Sequence, residues 1–90
     1  MKAPVIAVLP FMNMSSDPEN EYFSDGITEE IINALAKIDH LKVISRTSSF
    51  FFKNKDLPLK EIGEQLQASV ILEGSIRFAM GMVRITGQLI

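Results

Sequence analysis

Between Asp17 and Glu30 the sequence reads DPENEYFSDGITEE and holds six of the chain's eleven acidic residues. Carboxylates at this density suit three chemistries: a divalent-cation site, a general acid–base pair, or the polar entrance of a helix. A calcium loop opened at Asp17 would need glycine at its sixth position and glutamate at its twelfth. Tyr22 and Thr28 stand there, and starts at Glu19, Glu21 or Asp25 fit no better. Asp25 and Glu29 share a helical spacing that could serve acid–base work, yet the only histidine, His40, lies at the far end of the same helix. The expectation is a helix entrance, where acids favour the positive end of the helix dipole and stay solvated. No metal ligand, cofactor contact or catalytic residue is assigned.

The segment SRTSSFFFKNK (residues 45–55) is the other concentration of chemistry. Arg46, Ser48, Ser49 and Lys53 could hold an anion, and Phe50, Phe51 and Phe52 could stack a base. The competing reading sets one or two phenylalanines into the core, leaves the lysines in water and lets the hydroxyls satisfy the loop backbone. Three consecutive side chains on a loop cannot all face inward, so at least one Phe is expected on the surface as an interface anchor. Arg77 and Arg84 form a third candidate, for an acidic partner or an anion. There is no G-x-G-x-x-G, G-x-x-x-x-G-K-[ST] or G-x-S-x-G, so no dinucleotide, Walker-type or nucleophile-elbow chemistry is signalled.

Ninety residues suffice for one small domain or part of one. The net charge of −2 gives no electrostatic case for direct nucleic-acid binding or an anionic membrane. With no cysteine, disulfides and thiolate chemistry are excluded. No apolar run approaches the ~18 residues of a membrane span. No targeting segment is visible, which favours the cytoplasm, with the periplasm the alternative. The final VRITGQLI stops on Leu89 and Ile90 without a turn or polar tail, so truncation of a longer protein is expected at that end.

The elements that must position these residues follow from periodicity. APVIAVLPF (3–11) is a continuous apolar run that suits a strand covered on both faces, broken by Pro10. Ser16 and Glu19 have capping-box spacing, and Pro18 suits a first helical turn. Ile27, Ile31, Ala34, Leu35 and Ile38 lie on one face of a helix expected over Tyr22–Ile38, with Gly26 a weak point. LKVISR (41–46) reads as a strand, TSSFFFKNKDLP as a loop and LKEIGEQL (59–66) as a second helix. ASVILEGSIRFA and MVRITGQLI alternate as antiparallel strands around a Met80-Gly81 turn. That register sets Ile76 opposite Ile85, Phe78 opposite Val83, Ser75 opposite Thr86 and Arg77 opposite Arg84. The order β-α-β-α-β-β implies an α/β (α+β) sandwich with a mixed sheet and both helices on one face.

Taken in order, IAVLPFMNMSSDPENEYFSDGITEEI, VISRTSSF, GEQLQASVILEGSIR and VRITGQLI resemble the module similar to the amino-terminal domain of TolB, over nearly the whole chain. The resemblance implies that domain's mixed, anticodon-binding-like α/β sandwich. It also implies a setting in multidomain bacterial signalling proteins that bear a nucleotide-cyclase or winged-helix domain, commonly followed by tetratricopeptide repeats. It brings no catalytic residues. RFAMGMVR is less polar and less basic than the hairpin tip of relatives. The expectations are a non-catalytic interaction and assembly module, contacting other domains of its parent and forming a homodimer through an edge strand at Leu89-Ile90. The alternatives are a small-ligand or nucleotide sensor, and a fragment of a cyclase whose catalytic domain lies elsewhere.

Overall fold

A computed structural model describes residues 3–90. The elements are β1 (Val5–Val8), β2 (Met12–Asn13), α1 (Glu19–Leu35), β3 (Lys42–Val43), α2 (Arg46–Phe50), α3 (Leu59–Leu66), β4 (Val70–Ala79) and β5 (Met82–Leu89). β1 and β2 pair parallel with one edge of β4, β3 pairs parallel with β1, and β5 pairs antiparallel with the other edge of β4. The sheet is mixed, as expected, and β4 is its longest strand.

β1 and β2 are one strand interrupted by a bulge. Three residues lie between Val8 and Met12, but only two between their partners Leu72 and Ser75. One extra residue on one side of a pairing reverses the faces beyond it. Pro10 sits in the interruption and has no N–H to give to a ladder. The N–H of Phe11 donates instead to Thr28 Oγ1 at 2.9 Å, and that hydroxyl donates to the Ser24 carbonyl at 2.9 Å. Sequence periodicity did not reveal β2, because the bulge cancels the alternation that would announce it.

The helices lie on opposite faces, not on one. Val8, Leu72 and Ile76 pack with Ile27, Ile31, Ile32 and Leu35 of α1. Leu9 and Ile71, which point the other way, pack with Leu59, Ile62 and Leu66 of α3. The cause is the handedness of parallel crossovers. The chain steps from β1 to β3 in one direction through α1, then returns past β1 to β4 through α3. Two right-handed steps in opposite directions cover opposite faces.

Helix α1 begins three residues before the expected Tyr22 and ends at Leu35 instead of Ile38. Its entrance is held by Asp17, whose Oδ1 accepts from the Glu19 N–H at 2.9 Å, rather than by Ser16. Its deepest line is Ser24, Thr28 and Ile32, with Ile27, Ile31 and Leu35 beside it, whereas Ala34 and Ile38 are exposed. The expected strand 41–46 is shortened to β3, since Ser45 caps a helix. Its hydroxyl accepts from the Ser48 N–H and starts α2 where a loop was expected. Helix α3 occupies the expected residues. The hairpin register agrees at all four expected pairs, and Met80 and Gly81 both take positive φ, 51° and 75°, as a tight primed turn requires.

The Phe11 ring fills a slot of bare backbone. A Cβ at Gly74 would fall 2.6 Å from Phe11 Cε2 and collide with the Thr86 carbonyl oxygen, and one at Gly87 would touch the same ring at 3.9 Å. Gly26, by contrast, is exposed with nothing near its Cβ position. Gly74→Ala is therefore expected to destabilise the fold by about 1–3 kcal/mol. Gly26→Ala should stabilise it by up to about 1 kcal/mol, because it removes glycine from an exposed helix interior. Urea unfolding of both variants checks the pair.

Candidate interaction surface

The acidic entrance of α1 and the basic segment that follows β3 turn out to be partners. Lys53 Nζ donates to both Asp25 oxygens at 2.9 and 2.7 Å and lies 2.9 Å from Glu21 Oε2. Arg46 Nε donates to Glu29 Oε2 at 3.0 Å, and its guanidinium lies 4.1 Å from the centre of the Phe50 ring. Residues 21, 25 and 29 recur once per helical turn, so one stripe of α1 carries the partners of both cations. The acids are thus ligands for the protein's own cations as well as dipole partners.

The shared lysine also shifts titration. The hydrogen bond from Lys53 holds the Glu21 carboxyl below the usual carboxylate range, against the opposing pull of burial. For Lys53, burial works to lower its value, but the bonds to Asp25 and Glu21 outweigh it and raise the ammonium above its ordinary range.

The three phenylalanines divide as a loop crossing between faces demands. Phe50 packs into the α1-face core, Phe52 into the α3-face core, and Phe51 remains 58% exposed. Lys55 Nζ stands 4.7 Å from the Phe51 ring centre. Ser48 takes part in the cap with Ser45, and Ser49 is fully buried. A groove of about 560 Å³ runs between Pro10–Asn13 and the segment 52–57, floored by Leu9, Leu57 and Ile62. Of the residues singled out for an anion or base site, Phe52 and Lys53 line it, while Arg46, Ser48 and Ser49 do not. The expected cluster is therefore dispersed, and its cations are engaged by carboxylates.

The hairpin of β4 and β5 presents the larger open surface. Every residue of β5 is exposed. Arg77 and Arg84 sit directly opposite each other, both exposed, and neither joins an ion pair among the described residues. Ile90 exchanges backbone hydrogen bonds with Ile71 at 3.0 and 2.8 Å. Bonded and non-bonded pairs alternate along an antiparallel ladder. The residues Met82, Arg84, Thr86 and Gln88 therefore bond inward to β4. Val83, Ile85, Gly87 and Leu89 turn their N–H and C=O groups outward. Leu89, singled out with Ile90, belongs to this outward row; Ile90 belongs to the inward one.

The side chains of that outward row share the α1 face with Leu72, Ile76 and Phe78. Phe23 extends the same apolar field, its ring edge-on to Phe78 with centroids 5.5 Å apart. Sequence reasoning passed over Phe23, although its spacing of four from Ile27 continues the apolar stripe. Tyr22 beside it is 82% exposed. Among the described residues no group of histidine, cysteine and acidic side chains is arranged to hold a metal ion, and no helix is long and apolar enough to cross a membrane.

Comparison with known proteins sets this surface in context. Over 87 residues, 97% of the chain, the sequence is 51% identical to the protein named "Putative adenylate cyclase 3" of Rhizobium meliloti (strain 1021). The chain spans only 15% of that relative's length. The backbone matches the LpoB C-terminal domain from Escherichia coli with a TM-score of 0.67, covering 97% of this chain and 70% of that one at 19% identity. The fold is similar to that of the LpoB domain. At such identity the likeness is one of fold alone. No family profile matches the chain.

Lys53→Gln removes the cation shared by Asp25 and Glu21 and is expected to cost on the order of 1 kcal/mol near neutral pH. Because Glu21 is lowered in the folded state, its contribution is present above the ordinary glutamate value of ~4.3 and is lost as pH falls through the folded one. Urea unfolding at pH 6 and pH 3 should therefore show a smaller pH difference in the variant than in the parent chain.

Proposed function

We propose that this chain is a non-catalytic interaction and assembly module of a larger bacterial signalling protein, of the kind similar to the amino-terminal domain of TolB. The observation that carries the proposal is the β5 edge, eight exposed residues long, with its outward backbone row beside the apolar field of Phe23, Phe78, Val83 and Ile85. An edge of this length and polarity is the surface on which proteins add a strand from another chain. The partner chain is a second copy, so the module forms a homodimer.

The high identity to a small part of a protein named as an adenylate cyclase favours a cyclase as the parent. On this reading the cyclisation of ATP belongs to a different region of that parent, and the module acts by bringing copies together. The cytoplasm is the compartment that suits an enzyme acting on ATP.

Sedimentation equilibrium over a hundredfold concentration range tests the proposal, with a reversible monomer–dimer equilibrium as the expected result. A chain that stays monomeric throughout contradicts assembly through β5. The isolated chain should form no cyclic AMP from ATP, and measurable turnover would overturn the non-catalytic assignment.

A further inference from the structure

We infer that residues 51–57 form a strap that opens as a unit while the rest of the fold stays closed, with Lys53 as the latch that holds it over the groove floor. The segment runs from the end of α2 to Pro58 at the start of α3. Its backbone is bonded only to itself and to the turn before it. The N–H groups of Phe51, Phe52, Lys53 and Lys55 donate to the carbonyls of Thr47, Ser49, Phe50 and Phe52. Among the described residues, none of its backbone groups bonds to a strand or to α1. Asn54 bends it at a φ of 63°, a conformation that asparagine accepts more readily than most residues.

Side chains alone attach the strap. Phe52 and Leu57, both half-buried, rest on the cluster of Leu9, Ile62 and Ile71. Lys53 makes the one polar contact that leaves the segment among the described residues, to Asp25 and Glu21 of α1. Lys55 turns back onto the Phe51 ring. The side chain of Lys53 is 27% exposed, so its attraction to the two carboxylates is screened less than that of a fully solvated pair. Both acids stay on α1 when the strap lifts, and the whole attraction is lost in that step. Phe52, Lys53, Asn54, Lys55 and Leu57 line the groove opposite Pro10–Asn13, above Leu9 and Ile62. In the closed state Leu9 and Ile62 are only 8% and 4% exposed. Segments with few buried contacts and no bonds into the sheet open at lower free energy than the core. Lifting this one breaks no sheet hydrogen bond and leaves α1 and α3 in place. One lysine thereby sets access to the apolar floor.

Native-state amide exchange in low urea tests the strap and its latch. The reporters are the N–H groups of Phe52, Lys53 and Lys55 for the strap, and those of Leu9 and Ile44, bonded to Leu72 and Ile6, for the sheet. The strap amides should exchange faster than the sheet amides and respond little to urea, because a local opening exposes little surface. Lys53→Gln should speed them about fivefold, the equivalent of ~1 kcal/mol for the latch. Strap amides that share the rate and the urea dependence of Leu9 and Ile44 overturn the strap, since opening would then be global unfolding. Strap rates unchanged by Lys53→Gln overturn the latch. The chain has no thiol of its own, so Ile62→Cys places a single one in the floor. Its reaction with a thiol reagent should likewise quicken about fivefold when Lys53→Gln is added, with the same weak response to urea. An unchanged rate shows that the strap does not control access to the floor.

Discussion

The bulge between Val8 and Met12, and the burial of Phe11 that it causes, is the constraint on which the rest of the structure depends. Pro10 forces the first strand out of its ladder, and the extra residue turns Phe11 onto the bare backbone of Gly74 and Gly87. One hydroxyl then ties the bulged strand to α1. Thr28 accepts from the Phe11 N–H and donates to the helix carbonyl of Ser24, fully buried. An unsatisfied N–H at that depth would cost about 1–3 kcal/mol. Helix, bulged strand and hairpin are therefore fixed relative to one another at a single point. Helix α1 packs over β1, β2 and β4, and reaches as far along β4 as Phe78 through Phe23.

The electrostatics follow the same economy. The acids of α1 face the cations of the segment after β3 and fasten that segment across the edge of the sheet. Lys53 is three-quarters covered, on its side chain, and shared by Asp25 and Glu21, a geometry that holds Phe50 and Phe52 in opposite cores. What had the look of an anion site in the sequence is a brace. The uncompensated charge of the hairpin is instead the exposed pair Arg77 and Arg84, on the face away from Val83 and Ile85.

Legibility in the sequence tracked how local the deciding interaction is. The hairpin register and α3 were readable because a two-residue turn and a short amphipathic repeat determine them within a dozen residues. The start of α1 lies three residues before the expected one, and its entrance contact is made by Asp17, not by the Ser16 that the capping-box spacing singled out. β2 was hidden by the bulge, and α2 by residues whose type suggests a loop. Ser24 and Thr28 stand outside the apolar set Ile27, Ile31, Ala34, Leu35 and Ile38, yet they line the deepest face of α1, where Thr28 supplies the acceptor for the Phe11 N–H. The division of helices between two faces depends on strand order, which no local pattern encodes. For the surface, the exposure of one of the three phenylalanines was legible but not that it is Phe51, and the apolar field joining Phe23 to Phe78 depends on contacts made only in the fold.

The central claim is that the outward backbone row of β5 is open in the single chain and closed by a partner. Residue-resolved amide hydrogen exchange at low and high protein concentration measures this directly. Expected are slow amides at Arg84, Thr86 and Gln88 at both concentrations. The amides of Val83, Ile85, Gly87 and Leu89 should be fast when dilute and slow when concentrated. Equal exchange of the two sets at every concentration would contradict the claim, because the outer edge would then be either already covered or never used.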